Sequence, residues 1–277
     1  MAFSRADILA RLRAKIDRRA PIVMGGAGIG LVAKVIDRAG IDIIMAYNTG
    51  PFRMDGHGSL AGYLAYGDAN QITLDLAGQI LPVVENTPVV GGIGAADPRR
   101  PMDRMIDAVL AAGYSGVTNV PTAGIYDGIF RQQIDHTGLG YPKEIELIAK
   151  CRARDVFTVA YAFTPDEARQ MAEAGADIVG AHVGLTTGGL IGAGFAAGLD
   201  EACERITRMR DAAVAARSDT IVVAHGGPFE DPASVQHCYD RVAVHGFLGA
   251  SSIERLPVEA ALTQTVEGFR NLHLRQG

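Results

Sequence analysis

Three segments of the chain share one pattern. Arg38-Ala39-Gly40-Ile41-Asp42, Ala111-Ala112-Gly113-Tyr114-Ser115 and Glu173-Ala174-Gly175-Ala176-Asp177 each close a helical pattern with a glycine and open an apolar run. The glycine suits the left-handed position just past a helix C-terminus, where a Cβ would clash. A chain punctuated this way alternates helix and strand. Repeating units of roughly 30–35 residues then build a parallel sheet, because parallel neighbours need a crossover between them.

Counting along the chain gives eight such units. Strand runs fall near residues 21–26, 41–48, 88–94, 116–121, 157–163, 176–183, 220–225 and 243–250. Helical patterns fall near 28–39, 69–81, 101–112, 141–154, 165–174, 199–216, 232–240 and 257–271. No linker or shift in composition divides the 277 residues, and a closed barrel of eight strands typically takes ~250. The expectation is an α/β fold, one (β/α)8 TIM barrel spanning 1–277 as a single domain, with a doubly wound open sheet as the alternative. The first residues are basic, yet Ser4 with Asp7 reads as a helix cap and Ile8, Leu9, Leu12 and Ile16 share a face. They predict an extra N-terminal helix over 4–19, plugging the barrel bottom, in preference to a transit peptide.

Composition narrows the function classes. A formal charge of -5 supplies no basic face for nucleic acid. No run approaches the ~18 consecutive apolar residues of a membrane helix. Cys151, Cys203 and Cys238 form no CxxC pair and suit a reducing compartment. The expected protein is a cytoplasmic homo-oligomer acting on a small molecule.

In a parallel barrel, chemistry sits at the C-terminal strand ends. Two of those ends match: Ala181-His182-Val183-Gly184 and Ala224-His225-Gly226-Gly227, each a histidine delivered into a glycine turn. Tyr161 closes the strand before them in the same way. Imidazole carries protons near neutral pH and binds metals, so His182, His225 and Tyr161 are the leading catalytic candidates; histidines merely bonding loop carbonyls are the plainer alternative. Asn48, Asp97 and Asn119 fall at other strand ends, where they suit either a substrate or a loop cap. Asp68 is either a proton carrier or the cap of the next helix. Gly226, Gly227, Ser251 and Ser252 after the last two strands suit a phosphate or carboxylate cradle. Beside them Arg255 could clamp an acid, and Glu254 could complete a His-His-carboxylate metal set.

Three connections on the same side are long. Residues 49–68 carry Arg53, 122–140 carry Tyr126, and the glycine-rich 185–198 carries Thr186 and Thr187 as a flap over substrate. His245, ahead of its strand, belongs to the opposite face. Gly26-Ala27-Gly28-Ile29-Gly30 lacks the sixth small residue of a dinucleotide turn, and the strand after it ends in Asn48 where an acid should hold ribose.

Longer motifs carry a resemblance that covers almost the whole chain. Tyr47-Asn48-Thr49-Gly50, Phe52-Arg53-Met54, Gly58-Ser59-Leu60-Ala61-Gly62, Tyr66-Gly67-Asp68-Ala69-Asn70 and Asn119-Val120-Pro121-Thr122 resemble the phosphoenolpyruvate hydrolase-like family of TIM-barrel proteins. So do the segments from Ala181 to Gly189, His225 to Pro228 and Gly249 to Pro257. The family lies distantly beside the phosphoenolpyruvate mutase and isocitrate lyase barrels. The resemblance implies action on a phosphoenolpyruvate- or phosphonopyruvate-like acid, and an interaction role elsewhere in the wider family. The Glu-Asp-Lys run of the distant barrels does not occur in this chain.

The resulting expectation is a hydrolase or lyase that cleaves a C–C or C–P bond beside a carbonyl in a small anionic substrate. A divalent ion (Zn, Mg or Mn) on His182, His225 and Glu254 would stabilise enolate charge, Arg53 or Arg255 would hold the acid, and Tyr161 or Asp68 would move protons. Two alternatives stand: a flavin-dependent oxidoreductase with its phosphate in the turns after strands 7 and 8, and a non-catalytic metabolite-sensing or interaction barrel.

Overall fold

A computed structural model describes residues 2–275. In chain order the elements are α1 (Arg5–Asp17), β1 (Ile22–Gly26), α2 (Gly30–Arg38), β2 (Ile43–Ala46), α3 (Thr49–Met54), α4 (Ala69–Ile80), β3 (Val89–Gly92), α5 (Met102–Ala111) and β4 (Gly116–Thr118). There follow α6 (Gly128–His136), α7 (Pro142–Ala153), β5 (Phe157–Ala162), α8 (Pro165–Glu173), β6 (Ile178–His182), α9 (Leu199–Ala216), β7 (Ile221–His225), α10 (Pro232–Tyr239), β8 (Gly246–Gly249) and α11 (Arg255–Arg270). Every strand pairs in parallel with its neighbour in sequence, and β1 pairs with β8, so the sheet is a closed (β/α)8 barrel and not an open one. The glycine punctuation behaves as the sequence predicts: Gly40, Gly113 and Gly175 take φ of 83°, 105° and 96°.

Side chains alternate across each strand, and here that parity decides which strand residues face the barrel interior. Ile22 and Met24, Ile43 and Met45, Phe157 and Val159, Ile221 and Val223 form one cluster inside the barrel. The intervening Ile44, Val179, Val222 and Ala224 face outward into two other clusters, shared with the helices. Ile8 and Leu12 of α1, both almost fully buried, join the interior cluster and close its lower end. Ser4 caps α1 by accepting from Asp7 N at 3.1 Å, and Arg5 pairs with the buried Asp177 at 2.7 Å.

The long connections after β2 and β4 are not irregular. They contain α3 with a 3₁₀ turn (Ser59–Tyr63), and α6. The last helix departs from expectation: residues 260–275 are exposed throughout, so most of α11 stands off the barrel. Among the described residues no helix is long and apolar enough to cross a membrane.

Candidate active site

Parity carries four side chains to one place. Tyr47 continues the inward series of Ile43 and Met45; Tyr161, His182 and His225 are the inward residues at the tops of β5, β6 and β7. His182 and His225 are direct register partners on neighbouring strands. Their rings lie 4.5 Å apart between centroids at an interplanar angle of 83°. Phe163 stacks on His182 at 4.4 Å, and Tyr161 sits 4.9 Å from His225. The hydroxyls of Tyr47 and Tyr161 are 3.5 Å apart.

The backbone assigns opposite roles to the two imidazoles. Gly184 N–H donates to Nδ1 of His182 at 3.0 Å, so that nitrogen holds a lone pair and Nε2 carries the proton. Nδ1 of His225 lies 2.6 Å from the Leu248 carbonyl, which can only accept; it must be protonated, leaving Nε2 with the lone pair. Burial, with His225 nearby, holds His182 well below the ordinary imidazole range. Burial pushes His225 down to about 4 against the pull of the Leu248 carbonyl. Both rings are therefore neutral at pH 7, one a donor and the other an acceptor.

The cavity over these rings is lined by Tyr47, Arg53, Ser59, Tyr63, Tyr161, His182, Thr186, His225 and Ser251, with an internal volume of about 40 Å³. It shares Arg53, Ser59, Leu185, Thr186 and Ser251 with an outer chamber of about 180 Å³ that reaches Arg255. The inner space admits only a few water-sized groups; the two together suit a small acid.

Arg53 and Glu254 form a buried ion pair at the edge of the inner chamber. Arg53 Nε donates to Glu254 Oε2 at 2.7 Å, and Nη2 lies 2.6 Å from the same oxygen. Arg53 Nη1 donates to Thr49 Oγ1 at 2.7 Å, while the other Glu254 oxygen accepts from Gly28 N. Burial works against the Arg53 charge, but Glu254 more than offsets it and the guanidinium stays protonated.

That pairing corrects the metal set drawn from sequence. Glu254 is held by Arg53 and Gly28, and among the described residues no group of three His, Cys, Asp or Glu gathers to hold an ion. Ligation through Nε2 of His182 would also require a proton on Nδ1, facing the Gly184 N–H that now donates to it. The residues present do not fit a divalent ion at His182, His225 and Glu254.

Other candidates are placed elsewhere. Asp68 caps α4 by accepting from Gln71 N at 3.0 Å and pairs with Arg100 at 2.7 Å, so it is not brought to the histidines. Asp97 bonds Asn70 and Arg100, each at 2.8 Å, in the same outlying cluster. Asn48 donates to the Gly62 carbonyl at 2.6 Å and so pins the 3₁₀ turn over the mouth. Asn119 accepts from Tyr161 N at 2.8 Å and donates to Glu144, fastening β4 to β5 and α7. Asn48 and Asn119 brace the segments around the chamber, Asp68 and Asp97 lie apart from it, and none of the four lines the inner chamber.

The expected anion cradle is not free either. Gly226 and Gly227 hold φ of 77° and 60°, and Gly227 N–H donates to the Gly184 carbonyl at 2.8 Å. A Cβ on Gly226 would meet that carbonyl, so the turn is a clamp between the tops of β6 and β7. With that N–H engaged, the flavin alternative loses part of the phosphate seat it needs. Ser252 keeps a buried hydroxyl without a partner, Thr187 lies 3.4 Å from Glu230, and Arg255 pairs with Glu259 at 2.6 Å. Ser251 and Thr186 do face the cavity.

Tyr47, Tyr63, Ser59 and Phe163 surround the histidines without having been singled out from sequence. Tyr47 was legible: it shares the parity of Ile43 and Met45. Glu144, fully enclosed behind the rim, has its carboxyl pushed up to about 8 by burial despite donors from Thr122, Ala123 and Asn119. A glutamate in a first helical turn gives no signal of that.

The architecture is that of a TIM barrel with a histidine-lined pocket at its C-terminal mouth. The family model described as phosphoenolpyruvate hydrolase-like matches residues 7–272, and the chain belongs to that family. It is 46% identical over 271 residues to the ToMV resistance protein Tm-1(GCR237) of Solanum lycopersicum, covering 98% of this chain but 36% of that protein. The chain thus spans about a third of the length of that relative. Among solved structures, a phosphoenolpyruvate phosphomutase from Streptomyces platensis subsp. rosaceus is similar in fold, with TM-score 0.61 and 17% identity, over 95% of this chain and 86% of that one. A phosphonopyruvate hydrolase complexed with oxalate and Mg++ matches with TM-score 0.56 and 18% identity, over 97% and 88%.

Proposed function

We propose that the barrel is a hydrolase or lyase that breaks a C–C or C–P bond next to a carbonyl in a small anionic substrate of the phosphonopyruvate type. The reading rests on one observation: two register-paired neutral imidazoles, one fixed as donor and one as acceptor, inside a chamber that Arg53 borders. Family membership and the phosphonopyruvate hydrolase among its structural neighbours support a substrate of that class.

The chemistry follows from the tautomers. His225 Nε2 takes a proton from water as the water oxygen bonds to the acyl carbon or phosphorus. The electron pair of the breaking bond passes into the adjoining carbonyl to give an enolate. His182 Nε2–H donates to that enolate oxygen, as a neutral imidazole can. The imidazolium of His225 then returns its proton to the carbon. Arg53, with Ser59 and Thr49 beside it, orients the substrate's acid group; its own charge is balanced by Glu254, so the chamber is not strongly cationic.

Incubating the protein with phosphonopyruvate and with phosphoenolpyruvate, followed by phosphorus and proton NMR, tests the reading. Pyruvate and phosphate should appear from phosphonopyruvate, whereas phosphoenolpyruvate, whose phosphorus is bonded to oxygen with no adjoining carbonyl, is the control that stays intact; His225→Asn should slow product release by about 10²–10⁴-fold, the range for a lost general base. Binding of oxalate with no turnover of either compound would favour the sensing alternative instead.

A further inference from the structure

The outer chamber above the histidines differs in kind from the inner one. Ser59, Thr186 and Ser251 line both and put hydroxyl-bearing side chains at the boundary. Beyond them the outer chamber, about 180 Å³ in volume, is walled by Leu60, Leu185, Ile191 and Ala193. Leu185 also lines the inner chamber, so it stands at the passage between the two. The flap that supplies most of this apolar wall is folded on itself. Ala193 N–H donates to the Thr186 carbonyl at 3.0 Å, and a Cβ on Gly192 would meet the Gly188 carbonyl. Its outer edge is tied down as well: Leu190 N–H donates to Glu259 at 2.8 Å, and Arg255 donates to the Gly188 carbonyl at 3.1 Å.

Charge points the same way. Arg53 and Arg255 are the only lysine or arginine side chains among the described residues lining the two chambers. Each is matched by a carboxylate, Arg53 by Glu254 and Arg255 by Glu259, both at 2.6 Å. The histidines add no charge, since burial holds both rings neutral. Arg53 Nη2, although close to Glu254, is buried without a hydrogen-bond partner, so a donor is left for one acid group. Further anionic charge meets no unmatched cation, and enclosing it is costly. An apolar arm, by contrast, gains from every methylene it buries.

We propose that the preferred substrate is a 2,4-dioxo monocarboxylic acid, R–CO–CH2–CO–COO⁻, whose apolar R group lies in the outer chamber between Leu60, Leu185 and Ile191. It rests on the cleavage chemistry proposed above and selects the C–C bond. The water oxygen bonds to C4 as its proton passes to His225 Nε2. The C3–C4 bond then breaks, and its electron pair moves into the C2 carbonyl to give the enolate of pyruvate, whose oxygen His182 Nε2–H meets. His225 returns the proton to C3. One dioxo acid anion and one water thus give pyruvate and R–COOH, which ionises in solvent; no oxidant, reductant or further reactant is needed.

Two measurements on the full chain test this, one of them without turnover. Oxamate and its N-ethyl and N-butyl derivatives keep the oxo-acid head on an arm that cannot be cleaved this way. Calorimetry should show Kd falling about fourfold per added methylene, the value of burying one CH2, until the chamber is full. Dioxo acids with methyl and propyl arms, followed by pyruvate release, should rise in kcat/KM in the same way. The propyl compound should exceed phosphonopyruvate by about tenfold or more. Ile191→Asp should flatten both series. Equal binding of oxamate and N-butyl-oxamate, with pyruvate still released from phosphonopyruvate, overturns the acyl arm and leaves the hydrolase reading standing. A kcat/KM for phosphonopyruvate above that of every dioxo acid does the same. Graded binding with no cleavage of any compound overturns the hydrolase reading and, with it, the products named here.

Discussion

His182 and His225 are register partners on adjacent strands whose outer nitrogens have opposite characters, a donor on one ring and a lone pair on the other. The Gly184 amide and the Leu248 carbonyl impose this, and burial keeps both rings neutral.

The first consequence is in the pH profile. His225 is competent as a base only when neutral, and its pKa is pushed down to about 4. The acid limb of kcat/KM should therefore turn near pH 4, with no inflection near 6.5. Stability moves in the same direction. The unfolded chain binds protons that the buried ring refuses, so stability should be complete above about pH 6.5 and decline as pH falls toward 4. An activity profile that turns at 6.5 would show the imidazole to be solvated.

Arg53 and Glu254 should behave as one unit. Arg53→Met leaves a buried carboxylate without its partner and should cost about 3–5 kcal/mol in urea unfolding. The double variant Arg53→Met/Glu254→Met should recover most of that stability while remaining without activity. A loss in the double variant equal to the sum of the losses in Arg53→Met and Glu254→Met would mean the ion pair is not coupled.

The histidine pair should not act as a metal site. Titrating Zn²⁺ into the wild type and into His182→Ala should give indistinguishable binding isotherms, because Glu254 is engaged and the His182 tautomer is set by Gly184. A tight site present in the wild type and lost in the variant would reverse this.

The plug at the barrel bottom is the most direct stability test. Leu12 is almost wholly buried among the inward side chains, so Leu12→Ala should cost about 2–5 kcal/mol in chemical unfolding with the His182 surroundings unchanged. A loss below 1 kcal/mol would mean that α1 is only loosely docked.

The sequence alone determined the repeating architecture, because its signals are local: a glycine that must take positive φ after a helix, an apolar run of strand length, a cap at Ser4. Period-two alternation likewise put Tyr161, His182 and His225 at inward strand tops, so the meeting of these three side chains at the barrel mouth was legible residue by residue. Only the tertiary structure decided what the polar residues around that centre do. Glu254 meets Arg53 across 201 positions of sequence, and Asn119 meets Tyr161 across 42. No local pattern distinguishes a carboxylate that binds a metal from one that neutralises a buried guanidinium, since the difference lies in which chain segment folds against it. The same holds for α11: its pattern specified a helix, while its standing off the barrel is set by packing between distant parts of the chain.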